Sequence, residues 1–226
     1  MELPESNPKG TIILFHGKGS TKSSLLASAK VFHYLGYKTV LVDFRGSGGS
    51  SGNVNTVGVY ESEDVALVFN RIRELNPNKP IILYGISMGT AAILRAIAEE
   101  DINTNAIILE LPFTRLLSAV RTRLKNSQFP PFPMAELIVF WGGVRYGFNG
   151  FAHNPIDYAK EVNCPTLILQ GSKDPTVSIE ETEDLYFKIN SLKKMVIFPE
   201  AGHQLLVTVD KEIWQQSVRD FLGNLN

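Results

Sequence analysis

Six short apolar runs, rich in β-branched residues and separated by helical patterns, constrain this chain more than any other feature of it. They lie at 11–15, 39–44, 80–84, 106–109, 166–170 and 195–198. A run that is apolar at every position must bury both of its faces, which is the condition of a strand in a parallel sheet with helices on either side. Helical periodicity fills the gaps at 23–35, 57–75, 87–99, 179–189 and 211–222, and such alternation builds right-handed βαβ crossovers. The expectation is an α/β fold with a doubly wound, mainly parallel six-stranded sheet. One interval, 110–165, breaks the rhythm and is too long for a bare loop. Pro130, Pro131 and Pro133 precede an apolar stretch at 134–141, and Gly142, Gly143, Gly147 and Gly150 follow among aromatics. It is predicted as a small helical cap, 111–160, inserted in one domain spanning 1–226.

The composition fits one domain with a sizeable core: 226 residues, 44% hydrophobic and 20% charged, which excludes a disordered or collagen-like chain. Lys and Arg number 22 against 23 acids, a net charge of -1, so no broad attraction draws the chain to nucleic acid or to an anionic membrane. The expected partner is a small molecule recognised locally, with no nucleic acid. No apolar run approaches the roughly 20 residues needed to span a bilayer. The one cysteine, Cys164, cannot close an intramolecular disulfide, and 1–9 has no apolar leader; a reducing, cytoplasmic compartment is expected. No histidine or cysteine pair has metal-ligand spacing, and neither metal nor cofactor is predicted.

The sharpest local signal is Gly85-Ile86-Ser87-Met88-Gly89, which follows a predicted strand and opens an alanine-rich helix. A serine at such a turn is pushed out of the sheet with its hydroxyl exposed, and the flanking glycines let strand and helix approach. A hydroxyl is a weak nucleophile without a base. His203, in Glu200-Ala201-Gly202-His203 after the sixth strand, belongs to the same carboxyl edge of the sheet, where open α/β sheets bind ligands. His33 falls on the first helix as a packing or surface residue, and His153 reads as a turn residue. The base needs a carboxylate to fix its tautomer. Asp174, just beyond the fifth strand, is the candidate, with Glu110 at the end of the fourth strand the weaker one. The N–H groups of Met88 and Lys18 are the expected oxyanion donors, with Gly17 letting the backbone of Phe15-His16-Gly17-Lys18-Gly19-Ser20 approach a substrate.

Serine, then aspartate, then histidine is the chain order of the α/β-hydrolase superfamily, and this sequence resembles it over nearly its whole length. His16-Gly17-Lys18 resembles the oxyanion loop, Gly85 to Gly89 the nucleophile elbow, Gly171 to Asp174 the acid turn, Gly202-His203 the base loop, and Asp43-Phe44-Arg45-Gly46-Ser47-Gly48 the Asp-x-Arg-Gly-x-Gly segment. It looks most similar to small prolyl-oligopeptidase-like and serine-aminopeptidase-like hydrolases. The resemblance implies a serine hydrolase with the triad Ser87, Asp174 and His203. Two features depart from it. With ten residues before Thr11, the family's N-terminal hairpin is predicted to be absent, which would leave the edge beside 39–44 open to a homodimer contact. Lys18 stands where many relatives carry a small or apolar residue, and its side chain either attracts an anionic substrate or snorkels to solvent.

Seven aromatics, Phe129, Phe132, Phe140, Trp141, Tyr146, Phe148 and Phe151, crowd the predicted cap, and the acyl pocket is expected to draw on such rings, with Trp141, Phe113 and Gly17 the named substrate contacts. Between Leu111 and Gly150 the one acid is Glu136, too little to hold a substrate ammonium. The reading is a carboxylesterase for small or medium acyl groups, with an aminopeptidase or amidase, or a thioesterase, as the alternatives on the same triad. A nicotinamide oxidoreductase is the runner-up enzyme, but the cluster Gly46 to Gly52 puts Ser51 where the last glycine of a dinucleotide loop belongs; a flexible loop over the active site is the reading kept. A non-catalytic binding protein on the same fold is disfavoured because nucleophile, acid and base are all present.

Overall fold

The computed structural model describes residues 2–3 and 8–225. A two-residue strand β1 (Glu2–Leu3) precedes β2 (Thr11–Phe15), β3 (Lys38–Val42), β4 (Ile81–Ile86), β5 (Ala106–Glu110), β6 (Thr166–Gly171) and β7 (Lys193–Phe198). The sheet order is β1-β3-β2-β4-β5-β6-β7, and the six predicted runs are its six parallel strands. β1 runs antiparallel to β3, pairing Glu2 with Val40 and Leu3 with Thr39. The edge predicted to stand open beside 39–44 is therefore occupied at those two positions.

Alternate side chains of each central strand enter two cores. Ile13, Phe15, Leu83, Ile107, Leu109 and Ile168 point to one face, covered by α2 (Glu61–Leu75), α3 (Met88–Glu99) and α7 (Ile179–Lys188). Ile12, Leu14, Ile82, Tyr84, Ile108 and Leu167 point to the other, under α1 (Leu26–Tyr34), α8 (Leu206–Val209) and α9 (Lys211–Gly223). This two-sided burial is what makes the runs continuously apolar. The helix predicted from 57 starts only at Glu61. Val57 and Gly58 have φ of 58° and 111°, and the buried Glu61 carboxylate accepts hydrogen bonds from the Thr56 N–H, the Thr56 hydroxyl and the Gly58 N–H at 2.8–2.9 Å. A side-chain acceptor that satisfies these donors stabilises a turn instead of a helical one.

Between β5 and β6 the chain forms α4 (Leu116–Asn126), α5 (Met134–Tyr146) and the short α6 (Pro155–Tyr158). The Leu116 N–H donates to the His153 carbonyl at 3.2 Å, and the Ile156 N–H to the Thr114 carbonyl at 3.1 Å. The stretch holding α4 and α5 thus leaves and rejoins the body of the protein at one point. His153, read from sequence as a turn residue, is buried there. Its Nε2 donates to the Val57 carbonyl at 3.0 Å and its Nδ1 accepts from the Tyr158 hydroxyl at 3.3 Å. Burial, opposed by the bond to Val57 and aided by the Arg95 charge, lowers its pKa to about 4.

Candidate active site

Ser87 sits between β4 and α3 with φ 49° and ψ -110°, a conformation that costs a non-glycine residue about 1–3 kcal/mol. Packing on both sides enforces it. A Cβ on Gly85 would stand 2.6 Å from the Gly89 carbonyl carbon, and one on Gly89 would stand 2.5 Å from the Phe15 carbonyl oxygen. The Ser87 N–H donates to the Glu110 carbonyl at 2.9 Å, which pins the turn to the next strand.

His203 lies on the loop between β7 and α8, and Asp174 on the turn after β6. The His203 Nε2 is 3.1 Å from the Ser87 Oγ, and its Nδ1 is 2.7 Å from the Asp174 Oδ2. The other carboxylate oxygen of Asp174 accepts from the N–H groups of Thr176 at 2.7 Å and Val177 at 3.0 Å, so the acid is fixed before it meets the ring. Its side chain is fully buried while His203 keeps 21% exposure. The carboxylate, an acceptor only, requires the proton on Nδ1 and leaves the Nε2 lone pair to the serine hydroxyl. This arrangement can remove a proton from Ser87 and return it elsewhere.

Glu110, the second carboxylate weighed from sequence, does different work. It is fully buried and accepts from the Tyr84 hydroxyl at 2.7 Å, the Trp214 Nε1–H at 2.9 Å and the Leu206 N–H at 2.8 Å. Burial pushes its carboxyl above the ordinary carboxylate range despite those three donors. It ties the sheet to α8 and α9, behind the loop that carries His203.

Gly17, Lys18 and Met88 line the same cavity as Ser87. The N–H groups of Lys18 and Met88 donate to no acceptor among the described residues, and Met88, the first residue of α3, can have no intrahelical one. His16, which the sequence places in the oxyanion-loop motif without a role of its own, holds this loop. It is fully buried, its Nδ1 donates to the Gly17 carbonyl at 2.7 Å, and its Nε2 accepts from the Phe44 N–H at 3.2 Å. A histidine ending a wholly apolar strand was the signal available for it.

The cavity measures about 370 Å³. Its walls are Phe113, Leu116, Val120, Leu124 and Ile138, with Lys18 and Arg123 as the charged residues and no carboxylate. Desolvation and then the nearby Arg123 charge hold the Lys18 ammonium below the usual lysine range, against an opposing pull from Glu61. Of the aromatic residues named from sequence as substrate contacts, Phe113 lines the cavity. Trp141 does not: it stands 61% exposed, edge-on to Phe140, outside the cavity, and none of the seven aromatics of this stretch lines the walls. Nor does the glycine cluster 46–52 overhang the site. Asp43 binds it down, accepting from the Gly49 N–H at 2.9 Å, while the Ser50 hydroxyl donates to the Asp43 carbonyl at 2.7 Å.

The family described as serine aminopeptidase, S33 matches residues 6–137, which include Ser87, while Asp174 and His203 lie beyond the match. Among characterised and uncharacterised relatives, the chain is similar to protein YqkD of Bacillus subtilis, with 26% identity over 226 residues, 99% of this chain and 74% of that one. It is 27% identical over 236 residues to the lysophosphatidylserine lipase ABHD12 of Xenopus tropicalis, covering 94% of this chain. It spans 57% of that relative's length. The Pyrococcus furiosus esterase Pf2001 superposes with a TM-score of 0.80 at 22% identity, over 96% of this chain and 82% of the other, which shows a common fold. A match over more than half of the chain, on a sheet and turn of this construction, makes the protein a member of the serine aminopeptidase S33 family of α/β-hydrolases.

Proposed function

We propose that this hydrolase is a serine carboxylesterase acting on small or medium acyl groups through an acyl-enzyme. Ser87 Oγ attacks the acyl carbon while His203 Nε2 takes its proton, and Asp174 stabilises the imidazolium. The Lys18 and Met88 N–H groups receive the developing oxyanion, where each donor contributes about 10²–10³-fold in rate. Collapse breaks the acyl–oxygen bond and His203 protonates the leaving alcohol. Water, deprotonated by the same nitrogen, then releases the acid and frees Ser87.

The observation that carries the ester over an aminoacyl amide is the charge of the cavity. Two cations and no carboxylate line the cavity, whose other lining residues are apolar or neutral polar ones such as Ser20, Ser24, Thr176 and Gln204, so a substrate ammonium would find repulsion and no ionic partner. The names of the Xenopus lipase and the Pyrococcus esterase agree with an ester bond; the family's description favours the aminopeptidase as second reading. A fluorophosphonate probe should label Ser87, and kcat/KM should be higher for p-nitrophenyl acetate and butyrate than for alanine and proline p-nitroanilides. Faster cleavage of the anilides makes the protein a peptidase, and absence of labelling makes it a non-catalytic member of the fold.

A further inference from the structure

The α5 helix is apolar on every side, yet of its thirteen residues only Ala135, Val139 and Gly143 are buried. Leu137, Ile138, Phe140, Trp141 and Val144 stand in solvent, and Phe129, Phe132 and Phe151 stand exposed beside them in sequence. Eight of the fourteen large apolar side chains exposed among the described residues therefore fall within 129–151. Singly scattered apolar residues are ordinary; a concentration of this size marks a surface that something covers.

We propose that the α4–α5 layer docks on an anionic lipid bilayer, with α5 lying in the interface plane. At a rise of about 1.5 Å per residue α5 is about 20 Å long, short of a bilayer's hydrocarbon core, and no helix among the described residues is long and apolar enough to cross one. Charge selects the occupant. Arg121, Arg123, Lys125 and Arg145 face one acid, Glu136, in α4 and α5, and Arg121 already pairs with Glu136. Arg123, Lys125 and Arg145 have no carboxylate within ion-pair distance among the described residues. Four cations less one anion give this layer +3, and the whole chain's -1 then leaves -4 for the remainder. The near-zero net charge hides a basic helical layer that also carries a concentration of exposed aromatic and aliphatic residues. An anionic interface is complementary to that layer, with tryptophan and arginine at home in its headgroup zone. A second copy is disfavoured, because a two-fold contact would set the +3 face against itself. Docked in this way, Arg123, Leu124 and Ile138, which line the cavity, bring its mouth to the membrane.

The chain carries its own reporter, since Trp214 is fully buried and Trp141 is exposed. Vesicles of phosphatidylcholine with about 30% phosphatidylglycerol should float the full-length protein and shift Trp141 emission to the blue; phosphatidylcholine alone should do neither, and molar salt should reverse the binding. The triple substitution L137Q/W141Q/V144T touches no cavity-lining residue. It should weaken flotation about tenfold or more while leaving p-nitrophenyl acetate turnover in vesicle-free buffer unchanged. Should that variant fold poorly, the charge reversal K125E/R145E keeps Trp141 and should abolish the emission shift. Failure of the wild type to float, equal flotation on both vesicle types, or undiminished flotation of the variants overturns the proposal. So does self-association by sedimentation that the triple substitution removes while vesicles leave the emission unmoved, for then a second copy covers the face.

Discussion

The carboxyl edge of the sheet and the α4–α5 layer bound one cavity and are built in opposite ways. β2, β4, β5 and β6 are buried at every position, and the side chains at their ends are fixed by backbone donors or, at Ser87, by a backbone that packing leaves no freedom. The layer above buries small residues and leaves large ones outside. Proton transfer fails when partners drift by an ångström, and the groups proposed to react stand on the part of the molecule with the most packing. A wall that only shapes a cavity has no such requirement, and its outer face is free for another use.

The largest effect that would break this division is at the nucleophile. Ser87→Ala should lower kcat/KM for p-nitrophenyl butyrate by about 10⁴-fold or more, with an unchanged urea midpoint; retained turnover would mean that the sheet edge does not hold the chemistry. Next, Asp174→Asn should leave His203 in the wrong tautomer and cost about 10³–10⁴-fold in kcat. Glu110→Gln should instead keep kcat within about threefold and lose about 1–3 kcal/mol of stability, since an amide nitrogen must face one of three buried donors. A reversed ranking of these two variants would move the acid to Glu110. A last effect, on stability alone, sharpens the comparison at the joint between the regions. His153 is neutral in the fold, its pKa depressed to about 4 from 6.5. Its contribution is present above pH 6.5 and is lost as pH falls through 4, up to about 3 kcal/mol. Urea midpoints measured across that window should fall for the wild type and stay flatter for His153→Gln, whose amide can make both bonds; parallel slopes would show that the joint carries no such load.

The same contrast governs what could be read from the sequence. Apolar strands announce themselves, and so six runs, their mainly parallel arrangement and the residues at their carboxyl ends could be named from the sequence. Ser87, Asp174 and His203 meet in space because each follows a strand of one mainly parallel sheet, Ser87 and Asp174 after the fully buried β4 and β6 and His203 after the edge strand β7. The layer gave no comparable signal. Its aromatic density suggested a pocket wall, but composition does not tell which side of a helix borders a cavity: of the exposed residues of α5, Ile138 lines the cavity at one edge and Trp141 does not reach it. Glu110 and Asp174 are both carboxylates at or just beyond a strand end and both side chains are buried; their partners separate them, His203 for Asp174 and the Tyr84, Trp214 and Leu206 donors for Glu110. The turn at Val57 and Gly58 was hidden because the group that makes it, the Glu61 carboxylate, lies further along the chain in what reads as uninterrupted helix.

The two backbone hydrogen bonds that draw Thr114 to Ile156 and Leu116 to His153 have a consequence for how such a protein can change. A segment whose ends already touch can be lengthened, shortened or exchanged at little cost in chain entropy, because the cost of closing its ends grows by only about 0.6 kcal/mol for each doubling of its length. Grafting a foreign segment between Leu116 and His153, with both of those residues kept, should therefore give a folded hydrolase with a new appetite, its old chemistry inherited intact. Lineages of this architecture can diversify by trading roofs over one foundation.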